Sequence, residues 1–156
     1  MKNPRKCRTQ TALATVASLT FGAFVWLSVT SAANRDQNRD SREDQVSRGK
    51  YLVEEVAKCT ECHTPRDAQG NLDTHAWLRG APIWITPVRP IQNWADTAPP
   101  LAGLPSFTDD QVARVLEKGT GPEGEILRPP MHIYHMNHAD AQAIIAYLKS
   151  LPAASH

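Results

Sequence analysis

The first helical pattern in the chain follows residue 40. Its apolar face repeats every three or four positions, at Val46, Gly49, Val53 and Val56. This spacing predicts a helix that begins near Ser41 and runs into the segment at positions 59–63. A glycine on the inner face lowers the stability of a helix. Gly49 is therefore expected only where a second element packs closely against it.

Two further helices are marked by capping signals. Thr108, with Gln111 three positions later, forms a capping box, and Gly119 is placed to end the short helix between them. A last helix opens around Asn137, and Pro152 stops it. The residues predicted to face inward on these two helices are Val112, Val115, Leu116, Ile144, Ile145, Leu148 and Leu151.

Between the first helix and the capping box the helical periodicity disappears. Ten of the twelve prolines lie from Pro65 to Pro130, which predicts loops stiffened by proline, with little strand. The predicted fold class is therefore all-α, with few helices and long proline-rich loops. The chain has 156 residues, of which 41% are hydrophobic and 21% charged. These values suit one globular domain and do not suit a disordered chain.

The N-terminus has the pattern of an export signal. Four basic residues precede an uncharged, mostly apolar run from Leu13 to Val29, and small residues come next at Ser31-Ala32-Ala33. We therefore predict a signal peptide at residues 1–33 and a periplasmic location. An uncleaved anchor is the alternative, since a run of about seventeen residues is at the lower edge of what spans a bilayer. Membrane contact is expected only if this segment is retained.

Residues 34–45 alternate charged and amide side chains and contain no apolar residue. They predict a solvated linker, which leaves residues 46–153 for the folded domain. Removing residues 1–33 takes away four basic residues and no acidic one, so the formal net charge changes from +1 to −3. This negative balance argues against nucleic acid as a partner.

The candidate chemistry of the chain lies in Cys59-Thr60-Glu61-Cys62-His63. Two cysteines three positions apart, followed at once by a histidine, form the attachment motif for c-type haem. On a helical turn these three side chains share one face, so both cysteines can bond one edge of a porphyrin while His63 turns toward the iron. The motif predicts one covalently bound haem c, with His63 as an axial ligand.

Other uses of this motif fit the sequence less well. A structural zinc site needs four Cys or His ligands, usually as two pairs, and the sequence has no second cysteine pair. A thioredoxin-like redox pair is expected between a strand and a helix, whereas the flanks here are predicted to be helical. A simple disulfide would leave His63 without a role.

Three tryptophans lie in the irregular, proline-rich stretch, at Trp77, Trp84 and Trp94. Each indole can cover the face of a flat apolar cofactor, with its N–H reaching a propionate or a carbonyl. Each can equally well pack in the protein core. The sequence supports both interpretations equally.

The sixth position of the iron separates electron carriers from catalysts and sensors. A sulfur ligand raises the reduction potential and fills the site, which favours electron transfer. Met131 is the preferred ligand, because Pro129 and Pro130 restrict the backbone that presents it. Met136, near the start of the last helix, is the runner-up and could equally fill the core. Three nearby histidines can also bind iron, although they cannot all face one metal. They are His132, His135 and His138.

From about Val46 to Pro152 the chain resembles the bacterial single-haem class I cytochromes c. The likeness rests on the first helix with its cysteine motif, on PPLAGLP at 99–105, on PPM at 129–131 and on AYLKSLP at 146–152. The resemblance implies that the first and last helices cross near Gly49, with Tyr147 packed against it, and that His63 and Met131 are the axial pair. Relatives often have proline directly after the methionine, where this chain has His132.

These observations predict an exported cytochrome c that is not an enzyme. It would carry single electrons between redox proteins such as a dehydrogenase, an oxidase or another cytochrome. A haem-bearing relay subunit of a periplasmic dehydrogenase is the main alternative. A gas sensor or peroxidase-like enzyme with an open sixth position is a third, disfavoured by the available methionine and by the lack of a second haem motif in the sequence.

Overall fold

The computed structural model describes residues 38–153. The chain divides into two compact units, Met1–Ser41 and Arg42–His156. Of the first unit only residues 38–41 are described, and they are helical and exposed. The predicted signal peptide at 1–33 lies outside the described residues. The second unit contains the helices, the strands and the candidate site.

Helix α1 is described over residues 38–51 and continues as a π-helical turn, Leu52–Val56. Residues 38–41 are already helical, so helical backbone begins earlier than the predicted start near Ser41. A π turn holds more residues than an α turn and therefore rotates the chain after it. Val53 is fully buried, but Val56 is 53% exposed, so the prediction that Val56 faces inward was wrong. The helix also ends before position 59, because Lys58 has a φ of 51°.

The middle of the unit consists of short elements: α2 (Thr60–His63), a 3₁₀ turn (Thr74–Ala76), β1 (Ala81–Pro82) and β2 (Thr97–Ala98). The two strands pair antiparallel, with Ala81 opposite Ala98. The prediction of irregular, proline-rich chain with little strand is confirmed for this part. The loops between these elements contribute residues to the candidate site.

Helix α3, Asp109–Lys118, has the predicted capping box. The Thr108 hydroxyl accepts the Gln111 N–H at 3.3 Å, and the Gln111 side chain accepts the Thr108 N–H at 2.9 Å. Gly119 ends the helix in the left-handed conformation, with φ 66°, which glycine adopts without a Cβ clash. The predicted start and end of this helix are confirmed.

Helix α4, His138–Ser150, crosses α1 at Gly49. A Cβ on Gly49 would lie 1.9 Å from the Ala143 carbonyl oxygen and 2.7 Å from the Tyr147 Cβ. The absent side chain therefore lets the two helices touch backbone to backbone, as the resemblance implied. Asn137 caps α4 by accepting the Asp140 N–H at 2.9 Å.

A second contact between these helices is polar. The Tyr147 hydroxyl donates to the Glu54 carboxylate. The Trp77 indole N–H donates to the same carboxylate oxygen at 3.3 Å. Glu54 therefore joins the π turn, the middle loop and α4 at one point.

The core is apolar and draws on the π turn, the middle loop, α3 and α4. Its buried residues are Leu52, Val53, Leu78, Ala102, Leu104, Leu116, Ala141, Ala143, Ile144, Ile145, Tyr147 and Leu148. The architecture is helical, with one two-stranded ladder among the described residues, and the predicted all-α class is confirmed. Within residues 38–153 no helix is long and apolar enough to cross a membrane.

Candidate functional site

The cysteines and the histidine lie on one helical turn. Cys59 is the N-cap of α2, and the His63 N–H donates to the Cys59 carbonyl at 3.0 Å. The Cys59 N–H donates to the Val53 carbonyl at 2.9 Å, which fixes the turn to the end of α1. Both cysteines are partly exposed and are not joined to each other. The structure therefore presents the two thiols and the imidazole from one rigid turn.

His63 is held as a neutral base. Its side chain is buried, and Nδ1 lies 2.8 Å from the Pro99 carbonyl oxygen. A carbonyl can only accept, so Nδ1 carries the hydrogen and Nε2 keeps its lone pair. Burial lowers the pKa of His63, although the hydrogen bond to Pro99 opposes the shift. A neutral imidazole with one nitrogen tied to a carbonyl is the usual form of a metal-binding histidine.

The two thiols are not tuned for redox exchange. Burial raises the pKa of Cys59 to about 11, and the neighbouring Cys62 adds to the rise. Burial also raises the pKa of Cys62, with a further contribution from the Glu61 carboxylate. Reactive dithiols have lowered thiol pKa values, so this electrostatic setting disfavours the thioredoxin-like alternative.

A cavity of about 410 Å³ opens beside this turn. Most of its lining is apolar and comes from the middle loop, α3, the segment before α4, and α4 itself. Members that sequence analysis did not single out include Ile83, Phe107, Leu127, Arg128 and Tyr134. Its volume falls in the range of ligand and cofactor sites in proteins.

Met131 lines this cavity together with Cys59, Cys62 and His63. Two backbone hydrogen bonds hold its segment: the Met131 N–H donates to the Arg128 carbonyl at 3.2 Å, and the Ala95 N–H donates to the Pro129 carbonyl at 2.7 Å. The structure thus brings the preferred methionine to the same space as the cysteine motif.

The competing residues are mostly elsewhere. Met136 packs against the core and does not line the cavity. Among the histidines, His138 places Nδ1 2.8 Å from the Glu117 carboxylate, and His135 is exposed outside the cavity. His132 is the one of the three histidines that lines it, next to Met131.

The comparison with known families decides the identity. A family model described as Cytochrome c matches residues 46–152. The chain belongs to the cytochrome c family. The resemblance to class I cytochromes c is thereby confirmed, and with it the covalent haem c that this family carries.

Three curated relatives show what this cytochrome c is similar to. It is 34% identical over 119 residues to the fructose dehydrogenase cytochrome subunit of Gluconobacter japonicus, over 70% of this chain and 23% of that protein. It is 34% identical over 117 residues to a diheme cytochrome c-type of Cereibacter sphaeroides, over 70% of this chain and 36% of that protein. It is 32% identical over 123 residues to the alcohol dehydrogenase (quinone) cytochrome c subunit of Gluconobacter oxydans, over 70% and 24%. The chain thus spans about a quarter to a third of these relatives' length.

The residues present in this cytochrome c fit a haem. The cavity is mostly apolar, as a flat hydrophobic macrocycle requires. The His63 tautomer leaves Nε2 free to coordinate iron, and the two thiols stand on the same turn. Every donor that c-type attachment needs is therefore present at one site.

The tryptophans do not form part of this cavity. Trp77 packs against the core, and Trp84 is 58% exposed, with the Arg66 guanidinium 4.5 Å above the centre of its ring. Trp94 is half-buried and also lies outside the lining. Of the two interpretations that the sequence left open for these indoles, packing against the core holds for Trp77, and none of the three lines the cavity. Trp84 donates its N–H to the Glu61 carbonyl at 3.1 Å.

Two residues at the site were missed by sequence reasoning. The Pro99 carbonyl orients His63, yet a backbone acceptor leaves no mark in the choice of side chain. Tyr134 lines the cavity and donates its hydroxyl to the Ala57 carbonyl at 2.8 Å. Its position three residues after Met131 was the only sequence signal that it lies near the site. Half-buried tyrosines normally find a hydrogen-bond partner for the hydroxyl, but the sequence does not say which partner.

Proposed function

We propose that this cytochrome c transfers single electrons through one haem c. Cys59 and Cys62 would hold the macrocycle through thioether bonds, and His63 and Met131 would be the ligands of its iron. The observation that carries the proposal is the shared cavity: all four side chains line it, although Met131 is far from the others in sequence.

Each residue has a defined task in this proposal. The haem iron supplies the chemistry, the gain and loss of one electron. His63 offers the neutral Nε2 lone pair because Pro99 holds the hydrogen on Nδ1. Met131 would supply a thioether, a ligand that raises the reduction potential and leaves no open iron position for a substrate. The apolar lining excludes water, which further raises the reduction potential and keeps other ligands from the iron. The protein would therefore exchange electrons without turning over a substrate.

The relatives favour a relay within a dehydrogenase assembly. The names of two of these three relatives identify them as cytochrome subunits of a fructose dehydrogenase and of an alcohol dehydrogenase (quinone). By analogy we propose a periplasmic dehydrogenase as electron donor, with an oxidase or a second cytochrome as acceptor. The predicted signal at 1–33 would deliver the domain to that compartment. Purification of the tagged chain from its native host tests this part, since a fixed relay subunit co-purifies with a dehydrogenase and a mobile carrier does not.

The ligand assignment is tested by an optical spectrum of the oxidised, purified protein. A methionine sulfur on ferric haem gives a weak far-red charge-transfer band. We expect the band in the wild type and in Met136→Ala, and its loss in Met131→Ala, together with carbon monoxide binding to the reduced Met131→Ala protein. A band that survives Met131→Ala and disappears in Met136→Ala would contradict the assignment. A haem-to-protein ratio of about one, from a quantitative haem assay, tests the single haem.

A further inference from the structure

Met131 lies in a segment that is tied down at both ends. On the N-terminal side, the Arg128 guanidinium donates to two successive backbone carbonyls, that of Asn93 at 3.2 Å and that of Trp94 at 2.9 Å. The neighbouring backbone bond from Ala95 to Pro129 reinforces this contact. The chain before Met131 is therefore fastened to the loop at 93–95, which also lines the cavity through Ala95.

On the C-terminal side, the fastening point is Tyr134. Its hydroxyl donates to the Ala57 carbonyl at 2.8 Å, and its ring meets that of His132 edge-on, with 4.9 Å between the ring centres. Ala57 stands two positions before Cys59, and its own N–H is bonded to the Leu52 carbonyl at 2.8 Å. The acceptor is thus part of the same rigid corner that presents the cysteine motif.

These contacts connect Met131 to the cysteine motif by a short path through the protein. The path runs three positions along the chain from Met131 to Tyr134, across one hydrogen bond to Ala57, and two positions along the chain to Cys59. The covalent route from Met131 to His63, by contrast, runs through the whole of the intervening chain. Closing a long flexible loop costs conformational entropy, and preorganising the ligand removes much of that cost from the bonding step.

We propose that Tyr134, together with Arg128 at the other end, is a positioning residue that holds the Met131 thioether at the iron. The inference rests on the proposed His63 and Met131 ligation. It assigns to the hydroxyl of Tyr134 the role of keeping the sixth position closed to other ligands, while the aromatic ring lines the cavity.

The test is the affinity of the oxidised, haem-loaded protein for imidazole. Imidazole binds ferric iron only in molecules whose methionine has left, so its apparent dissociation constant falls as the open fraction rises. Tyr134→Phe keeps the ring and removes one neutral hydrogen bond of the usual strength, so we expect imidazole to bind about two- to tenfold more tightly. The far-red band should disappear at correspondingly lower imidazole concentration.

Tyr147→Phe is the matched control. It also removes a tyrosine hydroxyl that donates a hydrogen bond, but to Glu54, which does not line the cavity. A merely structural role for Tyr134 would change imidazole affinity equally in both variants, and that result would overturn the proposal, as would no change in Tyr134→Phe. If Tyr134→Phe does not accumulate with haem, Arg128→Lys replaces it, because lysine keeps the charge but cannot reach both carbonyls. An unchanged imidazole affinity there would then overturn the proposal.

A different set of results would contradict the proposed ligation itself. If Met131 does not bind the iron, Met131→Ala leaves both the spectrum and the imidazole affinity at their wild-type values. If Met131→Ala opens the iron and Tyr134→Phe does not loosen it, the ligation stands and the positioning role is wrong.

Discussion

At the scale of single residues, Gly49 shows how one missing side chain sets the position of two helices. The backbone of α4 occupies the space that a Cβ on Gly49 would fill, at 1.9 Å from the Ala143 oxygen. That oxygen is part of the helix backbone and cannot rotate away as a side chain would. Any substituted residue must therefore push α1 and α4 apart, which also disturbs the core between them.

We expect Gly49→Ala to lower the free energy of unfolding of the haem-loaded protein. Overpacking costs about 1–3 kcal/mol, which outweighs the gain of up to about 1 kcal/mol for alanine over glycine in a helix. Denaturant unfolding followed by far-ultraviolet circular dichroism measures the change. Ser47→Ala, at an exposed position of the same helix, is the control and should keep or slightly raise the stability. Equal stability of the two variants would contradict the close crossing.

The sequence predicted the donor residues of the site better than their surroundings. Cys59, Cys62 and His63 lie within five positions, so local spacing alone places them on one face. Met131 could be proposed because two prolines stiffen its backbone. The Pro99 carbonyl beside His63 and the hydroxyl contact of Tyr134 depend on how distant loops fold, and no local pattern encodes such contacts.

At the scale of elements, α3 is the helix whose ends are specified most completely by sequence. Its capping box and its terminal glycine form as predicted. One face of the helix carries Val112, Val115 and Leu116 to the cavity. The stability of this helix therefore contributes directly to the shape of the site.

Thr108→Ala should lower the free energy of unfolding by about 1 kcal/mol, because it leaves the first turn of α3 without its side-chain acceptor. Denaturant unfolding of the haem-loaded protein gives the value. Ser106→Ala, a nearby exposed serine outside the capping box, should change it by less than about 0.5 kcal/mol. A loss of the same size in both variants would show that the hydroxyl of Thr108 has no special role.

The π turn at Leu52–Val56 is a feature that the hydrophobic periodicity of the sequence does not predict. A regular helix would have carried Val56 inward, whereas the wider turn directs it to solvent. The turn allows Glu54 to meet Tyr147 and Trp77. Such departures from regular winding arise from packing between elements, and the sequence of one helix does not contain that information.

At the scale of the whole molecule, the cavity is lined by residues from several separate segments of the described fold, from Ala57 to Leu148. Apolar side chains from the middle loop, α3, α4 and the methionine segment line it. Without a bound group these side chains would face water, which forfeits much of the burial that stabilises a domain of this size.

Removal of Cys59 and Cys62, the proposed attachment residues, should reveal how far the stability depends on the haem. We expect the haem-free Cys59→Ala/Cys62→Ala protein to be less stable by at least about 4 kcal/mol, the linkage for a ligand at a thousand times its dissociation constant. Thermal unfolding by circular dichroism measures the loss. Adding haem in solution should restore part of it, since His63 and Met131 remain. A haem-free protein as stable as the wild type would contradict the prediction.

High pH should also weaken the fold, through Tyr147. Burial and the adjacent Glu54 carboxylate raise the pKa of Tyr147 above its ordinary value of about 10. The folded state thus keeps a proton that the unfolded chain releases, so this contribution to stability is complete below about pH 10 and is lost as the pH rises above it. Unfolding free energies measured from about pH 8 to about pH 12 should fall more steeply for the wild type than for Tyr147→Phe. Parallel profiles would argue against this linkage.

The placement of the ligands has a consequence for the order of events during biogenesis. The three residues of the proposed attachment site lie within five consecutive positions on one turn, so the chain contains all three of them side by side before it folds. Under the proposed ligation, Met131 would reach the iron only after the long intervening chain has folded, and the Pro99 carbonyl meets His63 only in the folded chain. If these residues hold the haem as proposed, covalent attachment would come first in time and completion of the iron's coordination would come last. The binding of Met131 to the metal would then report that the polypeptide has finished folding.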